Sequence, residues 1–185
     1  MSVSLRCYST SLGCPKNRVD TERLLGSLGV ALVPVESPDE AELVFINTCA
    51  FIQPATEESV RTIAQAIADI EELPKRPLLA VAGCLVGRYH AEDLAPELPE
   101  VDLWLDNSDL EAWPAMLARK LGLPEPTVPG RILSTGPSYA WLKISDGCRH
   151  ACSFCAIPNI RGGHRSHCKD MIVREARALL DQGVK

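Results

Sequence analysis

The chain has 185 residues, of which 46% are hydrophobic and 23% charged, a balance that excludes disordered and fibrous proteins. Its longest nearly apolar run, residues 78–86, is about half the length that a membrane span needs, and residues 1–7 lack the charged-then-apolar build of a signal peptide. We therefore expect a cytoplasmic protein with no membrane contact, whose eight cysteines stay reduced, and so many reduced cysteines favour metal binding or chemistry.

Charge divides the chain into three parts. Residues 1–121 carry 10 basic and 19 acidic side chains, whereas residues 139–185 carry 8 basic and 4 acidic ones. Residues 122–138 hold four prolines and three glycines, so this segment can neither continue a helix nor pair well as a strand. The sequence thus predicts an N-terminal domain over 1–121, a linker over 122–138 and the start of a second domain over 139–185.

Strand-like and helix-like segments alternate through the first part. The pattern predicts strands over 5–9, 43–47, 78–82 and 101–105, and helices over 20–28, 56–73, a segment ending at 94, and 109–121. Such alternation is typical of an open parallel sheet with right-handed crossovers. In the last part, a strand is predicted over 139–145 and a helix over 170–181. Three tryptophans in apolar patterns are predicted to be core residues: Trp104, Trp113 and Trp141.

Three cysteines follow predicted strands, at Cys14, Cys49 and Cys84. Because the carboxyl ends of parallel strands share one edge, where ligands of α/β folds bind, we expect these thiols to converge. Gly13 and Gly83 would let the backbone come close to a bound group. Three buried structural cysteines remain the alternative from topology alone.

A second cysteine group, Cys148, Cys152 and Cys155, has the spacing C-x3-C-x2-C on one short loop. Three thiolates so close together must share a metal centre, since a site of low dielectric cannot hold unpaired charges. Three ligands leave one iron of a four-iron cluster open, whereas a structural zinc site needs four. Zinc stays an alternative, because several residues could supply the fourth ligand: His150, His164, His167 and Cys168.

The second cysteine group, with the aromatic Phe154 before its last cysteine, resembles the signature of radical S-adenosylmethionine enzymes. Four upstream motifs resemble the methylthiotransferase family within that class: residues 13–17, 19–22, 47–52 and 83–85. Pro15-Lys16, together with Ile160-Arg161-Gly162 and His164-Arg165-Ser166, resembles the family's RimO branch. The resemblance covers nearly all of the chain.

This resemblance implies two 4Fe–4S clusters. Cys14, Cys49 and Cys84 would hold an auxiliary cluster that carries the transferred sulfur. The 148/152/155 cysteines would hold the cluster whose open iron binds S-adenosylmethionine, beside Phe154. One S-adenosylmethionine would serve as radical source and another as methyl donor. The implied reaction is methylthiolation of an aspartate β-carbon in a small-subunit ribosomal protein, with a flavodoxin- or ferredoxin-like electron donor.

The fold implied is an N-terminal open-sheet methylthiotransferase domain followed by the first βα unit of a radical S-adenosylmethionine barrel. Because the remaining barrel units and a C-terminal β-barrel domain do not follow Lys185 in this sequence, we expect a fragment that is inactive alone. We also expect residues 139–185 to be loosely ordered or stabilised only by contact with the first domain.

Several residues have two interpretations. Arg161 and Arg165 could contact cofactor or substrate, or form a solvated basic loop. Lys16 and Asn17 could position the auxiliary cluster, but Asn17 is predicted to cap the helix that begins at Asp20. Cys7 is predicted to be a core residue, and Cys168 a helix-start residue without a ligand role.

Two other functions compete with the ribosomal one. A transfer-RNA methylthiotransferase would need a basic footprint, whereas residues 1–121 are acidic and would instead attract a basic ribosomal protein. RNA binding is therefore not expected of this chain. The alternative from another class is a zinc-binding structural or interaction module.

Overall fold

The computed structural model describes residues 4–127, 129–150 and 152–185. Residues 1–3 of the N-terminal stretch, Val128 of the predicted linker and Ala151 of the second cysteine motif lie outside the described residues. Within the described residues, no helix has the length and apolar character needed to cross a membrane.

A five-stranded parallel sheet forms the centre of the fold. Its strands are β1 (Ser4–Ser11), β2 (Ala31–Pro34), β3 (Leu43–Thr48), β4 (Leu78–Gly83) and β5 (Leu103–Asp106), in the spatial order β2-β1-β3-β4-β5. The predicted open parallel sheet is thus confirmed, although the short edge strand β2 was missed. Since the chain leaves β1 toward one edge and then returns past it to β3, the topological switch point lies between β1 and β3.

Seven α-helices occur among the described residues: α1 (Pro15–Ser27), α2 (Gln53–Ile70), α3 (Cys84–Tyr89), α4 (Ala91–Leu94), α5 (Trp113–Leu121), α6 (Ile157–Arg161) and α7 (Lys169–Asp181). The predicted start of the first helix at Asp20 was wrong by five residues. Cys14 flanks α1 with extended backbone, and Pro15 occupies its first turn, where the missing N–H of proline costs no hydrogen bond.

Side chains of the central strands alternate between two apolar layers. Val44 and Ile46 face the layer made with α2 and α3, whereas Leu43 and Phe45 face the layer made with α1 and α5. All four are fully buried, as expected for a parallel sheet covered on both faces.

The predicted core residues have different outcomes. Trp113 and Cys7 lie in the layer with α1 and α5 and are buried, as predicted. Trp104 is partly buried and packs against the opposite layer. The prediction for Trp141 was wrong, since its side chain is 46% exposed.

The predicted strand over 139–145 was also wrong, except at its last residue. Ser145–Asp146 forms a two-residue strand, β6, which pairs antiparallel with β7 (Arg165–Ser166). Residues 139–144 pair with no strand in the described part of the chain, and a strand without a ladder leaves its backbone groups unsatisfied. The last helix, α7, is confirmed, and Cys168 flanks its N-terminus as predicted.

Residues 130–132 pack against the outer face of helix α1. Gly130 Cα lies so close to Gly26 that a Cβ on either residue would collide with backbone of the other segment. The Ile132 amide donates to Glu22 O at 3.1 Å, and the Gly130 amide donates to Ser27 Oγ at 3.0 Å. The segment predicted as a linker therefore packs along α1.

Candidate metal centre

The first three predicted ligands lie at the carboxyl edge of the sheet. Cys14 follows β1 and is exposed, Cys49 follows β3 and is buried, and Cys84 follows β4 as the first residue of α3. The first two flank the β1/β3 switch point, where open α/β sheets bind their ligands.

Two glycines bring these three loops into contact. Gly13 has a φ of +80°, and a Cβ there would lie 2.5 Å from both Cβ and Sγ of Cys49. Gly83 has a φ of +99°, and its Cβ would lie 2.7 Å from Thr48 O. Both positions therefore require glycine for conformation and for space. The loops carrying Cys14 and Cys84 both lie against the end of β3, next to Cys49.

Asn17 connects the same loops by hydrogen bonds. Its Nδ2 donates to Leu12 O and to Thr48 O, both at 2.8 Å, and its side chain is fully buried. The Cys84 thiol donates to Asn17 Oδ1 at 3.8 Å. The prediction of Asn17 as a helix cap was wrong, because the residue lies inside the first turn of α1 and its amide organises the cysteine loops.

Further polar residues brace this edge, and sequence reasoning missed their roles. Ser59 of α2 donates to Cys49 O at 2.7 Å and accepts from the Cys49 amide at 3.0 Å. Thr48 Oγ1 donates to Ala82 O at 2.6 Å, which joins β3 to β4 directly below Cys84. In the sequence, only Asn47 and Thr48, which precede Cys49, could have drawn attention to these hydrogen bonds.

The Cys84 thiol lies in a polar pocket in spite of its burial. Burial raises the pKa of Cys84, the Arg161 guanidinium opposes this rise, and the neighbouring Cys49 and Cys14 add to it. Asn107 Nδ2 donates to Cys84 Sγ at 3.7 Å, while Asn107 Oδ1 is buried without a partner among the described residues. Hydrogen bonds to a cysteine sulfur are typical of the surroundings of iron–sulfur clusters.

The second cysteine group lies on the loop between β6 and α6. Cys148 and Cys155 are partly exposed and Cys152 is exposed. The Cys148 amide donates to Gly162 O at 3.1 Å, which closes the loop at its base. Phe154, predicted to lie beside S-adenosylmethionine, is 89% exposed.

Four buried ionic side chains join the two halves of the chain. Lys143 Nζ lies 2.6 Å from Asp20 Oδ1 and 2.6 Å from Asp146 Oδ2, and Arg161 Nη1 lies 3.2 Å and 2.9 Å from the same two carboxylates. Two positive and two negative charges balance one another. Burial would raise the pKa of Asp146, but Arg161 and Lys143 outweigh it and hold that pKa below its usual value. We name these four residues the ionic junction.

The interpretation of Arg161 as a solvated basic residue was therefore wrong, since its side chain is 3% exposed. Arg165 in β7 is exposed, in agreement with a solvated position. Lys16, the other residue with two interpretations, donates from Nζ to Ser145 O at 2.6 Å and so contacts the downstream segment.

Helix α6 lies directly against α3. A Cβ at Gly87 would be 2.6 Å from Ile160 O, and Ile160 is buried in the layer that contains Cys84. Beside this contact, a cleft of about 560 Å³ is lined by both halves of the chain, including His90, Asp106, Asn159 and His164. The structure thus brings the segment that follows the second cysteine group against the helix that begins at Cys84.

The donor chemistry of both groups fits iron–sulfur clusters. All eight cysteines are free thiols, and cysteine thiolates are the usual ligands of such clusters. Across the described ranges of the chain, no three His, Cys, Asp or Glu side chains are placed to hold a single metal ion.

Comparison with known proteins identifies the family. The model of the family described as "Uncharacterized protein family UPF0004" matches residues 6–106, which span the whole sheet apart from the start of β1. The chain belongs to the UPF0004 family. The matched range includes all three cysteines at the carboxyl edge of the sheet and ends before the second cysteine group.

Curated relatives extend the similarity beyond the UPF0004 region. Proteins named "Ribosomal protein uS12 methylthiotransferase RimO" are 70% identical over 178 residues in Nitratidesulfovibrio vulgaris (strain DP4) and 57% identical over 185 residues in Lawsonia intracellularis. The matches cover 96% and 100% of this chain but 41% and 42% of those relatives. The chain therefore spans about two fifths of their length. The predicted resemblance to RimO methylthiotransferases is confirmed.

Proposed function

We propose that the chain carries the two iron–sulfur sites of a radical S-adenosylmethionine methylthiotransferase that acts on ribosomal protein uS12. The observation that carries this proposal is the meeting of three cysteine loops at the β1/β3 switch point, with glycine required at two of them. The name shared by the curated relatives supports the reaction and the substrate.

In this proposal, Cys14, Cys49 and Cys84 hold the auxiliary cluster, and Cys148, Cys152 and Cys155 hold the cluster that binds S-adenosylmethionine. When bound, these cofactors supply the radical chemistry, the sulfur and the methyl group for transfer to an aspartate β-carbon of the substrate. The protein's own residues orient the sites and exclude water.

Each side chain around the clusters has a definite task. Asn17 fixes the loops after β1 and β3 relative to each other, and Ser59 holds the backbone of Cys49. Gly162 O anchors the Cys148 amide, which sets the start of the second cysteine loop. Phe154 lies within that loop with its side chain 89% exposed, and we propose that it covers the bound cofactor.

The charge of the chain supports a protein substrate. Residues 1–121 carry nearly twice as many acidic as basic side chains, and such a surface attracts a basic ribosomal protein and repels a phosphate backbone. The electron needed by this chemistry would come from a flavodoxin- or ferredoxin-like donor. We further propose that the protein works in the cytoplasm, where ribosomes are assembled.

Anaerobic reconstitution with iron and sulfide tests the proposal. We expect a broad absorbance band near about 400 nm and about four irons for each cysteine group. The triple variant Cys14→Ala, Cys49→Ala, Cys84→Ala should lose about half of the iron and still bind S-adenosylmethionine. Cys168→Ala is the matched control, since it removes an exposed thiol outside both groups and should keep all of the iron.

Two results would contradict the proposal. Stoichiometric zinc without iron would favour a zinc-binding structural module instead. Loss of all iron, or of none, in the triple variant would show that the two cysteine groups do not hold separate clusters.

A further inference from the structure

Arg161 occupies an unusual place between the two cysteine groups. It lies at the end of α6, six residues after Cys155, yet its guanidinium is buried against α1. Arg161 Nη2 donates to Asn17 Oδ1, the same oxygen that accepts the Cys84 thiol at 3.8 Å. Asn17 Oδ1 therefore accepts hydrogen bonds from both the Arg161 guanidinium and the thiol of Cys84, a predicted ligand of the upstream group.

The other contacts of Arg161 fix its position. Its Nη1 reaches Asp20 and Asp146, and the backbone of α6 packs on α3 through Ile160. Rotation of the guanidinium away from Asn17 would take one cation from two buried carboxylates, leaving Lys143 between them and the half-exposed Lys16 at 3.9 Å from Asp146. This arrangement is costly to disturb, so the charge is held rigidly at the edge of the upstream site.

We propose that Arg161 is a positioning residue that raises the reduction potential of the cluster held by Cys14, Cys49 and Cys84. This inference rests on the proposed function, because it requires a cluster at that site. A fixed cation beside a thiolate-ligated cluster favours the added electron, and hydrogen bonding and charge near the sulfurs are known levers on cluster potentials. Burial strengthens the effect, since the charge is poorly screened there.

Arg161 also makes the reduction potential of the upstream cluster depend on the downstream segment. The guanidinium reaches Asn17 from the end of α6, which is packed on α3 through Ile160. The potential of one cluster is then linked to the correct docking of the segment that carries the other. Arg161 is 4% exposed, so this link is shielded from solvent.

The test uses the full chain with Cys148→Ala, Cys152→Ala and Cys155→Ala as background, so that only the upstream cluster gives a signal. Its midpoint potential is measured by anaerobic redox titration with electron paramagnetic resonance. Arg161→Gln should lower the ratio of reduced to oxidised cluster at a given solution potential by about tenfold, which is about 59 mV for one electron. Arg161→Lys keeps the charge and should lower the ratio less.

Arg165→Gln is the matched control, because it removes the same charge from an exposed site four residues away. Its ratio should stay within about twofold of the background protein. An unchanged ratio in Arg161→Gln, or an equal fall in Arg165→Gln, would overturn the inference.

A second variant covers the case in which Arg161→Gln does not fold. Arg161→Gln combined with Asp146→Asn keeps the ionic junction neutral, and its ratio should still fall by more than twofold, because Asn17 places the lost cation nearer to Cys84. An unchanged ratio in this folded, iron-loaded variant would also overturn the inference. If the background protein binds no iron at all, the proposed function itself is wrong.

Discussion

Replacement of Lys143 by methionine tests whether the ionic junction holds the two halves of the chain together. The Lys143 side chain is 2% exposed, and its Nζ lies 2.6 Å from a carboxylate oxygen of both Asp20 and Asp146. Methionine keeps most of the length but leaves the two buried carboxylates with one buried cation, Arg161, and the half-exposed Lys16 at 3.9 Å from Asp146. Breaking a buried ion pair from one side costs about 3–5 kcal/mol, so we expect a loss of this size in the free energy of unfolding.

Urea unfolding of the full chain measures this loss, with Lys75→Met as the control. Lys75 is 86% exposed and its Nζ lies 3.9 Å from Glu42 Oε1, so its replacement should change the unfolding free energy by less than about 0.5 kcal/mol. Lys143→Met combined with Asp20→Asn restores the charge balance and should cost less than the two single changes added together. Equal losses for Lys143→Met and Lys75→Met would refute the reasoning.

Two further predictions concern packing and pH. Alanine normally stabilises a helix by about 1 kcal/mol relative to glycine, but at Gly26 its Cβ would lie 2.5 Å from Arg131 Cα. Gly26→Ala should therefore loosen the packing of residues 130–132 on α1 and speed hydrogen exchange at the Ile132 amide. Slower exchange would contradict this. Burial raises the pKa of Cys7 to about 12, so stability should fall as pH rises from about 8.5, where an unfolded thiol ionises, toward that value. Cys7→Ala should flatten this fall between pH 8 and pH 10 in urea midpoints, and equal slopes would count against it.

Much of the fold could be predicted from local patterns. The runs over 43–47 and 78–82 are continuous and apolar, and such runs form strands buried on both faces, as β3 and β4 are. The spacing of strands and helices predicted the parallel sheet, and with it the common edge on which Cys14, Cys49 and Cys84 lie. These features depend on short-range periodicity, which the sequence displays directly.

Other local patterns were misleading because they lacked a partner. Residues 139–144 alternate as a strand does, but a strand needs a neighbouring strand to satisfy its backbone. Among the described residues, these six pair with no strand, and pairing begins only at Ser145–Asp146. The short edge strand β2 was missed for the opposite reason. Its four residues carry little pattern of their own and are held in place by pairing with β1.

Only the tertiary structure decided that acidic side chains on the outer face of α1 are buried in ion pairs. Asp20 and Glu22 look like ordinary solvated charges in sequence, yet both are buried, because cations more than 100 residues later reach them: Lys143 and Arg161 for Asp20, and Arg131 for Glu22. The sequence alone determined which residues prefer strands and helices, and it predicted which cysteines bind metal. A charge, however, is buried only where an opposite charge meets it in space, and that meeting depends on long-range packing that no local pattern contains.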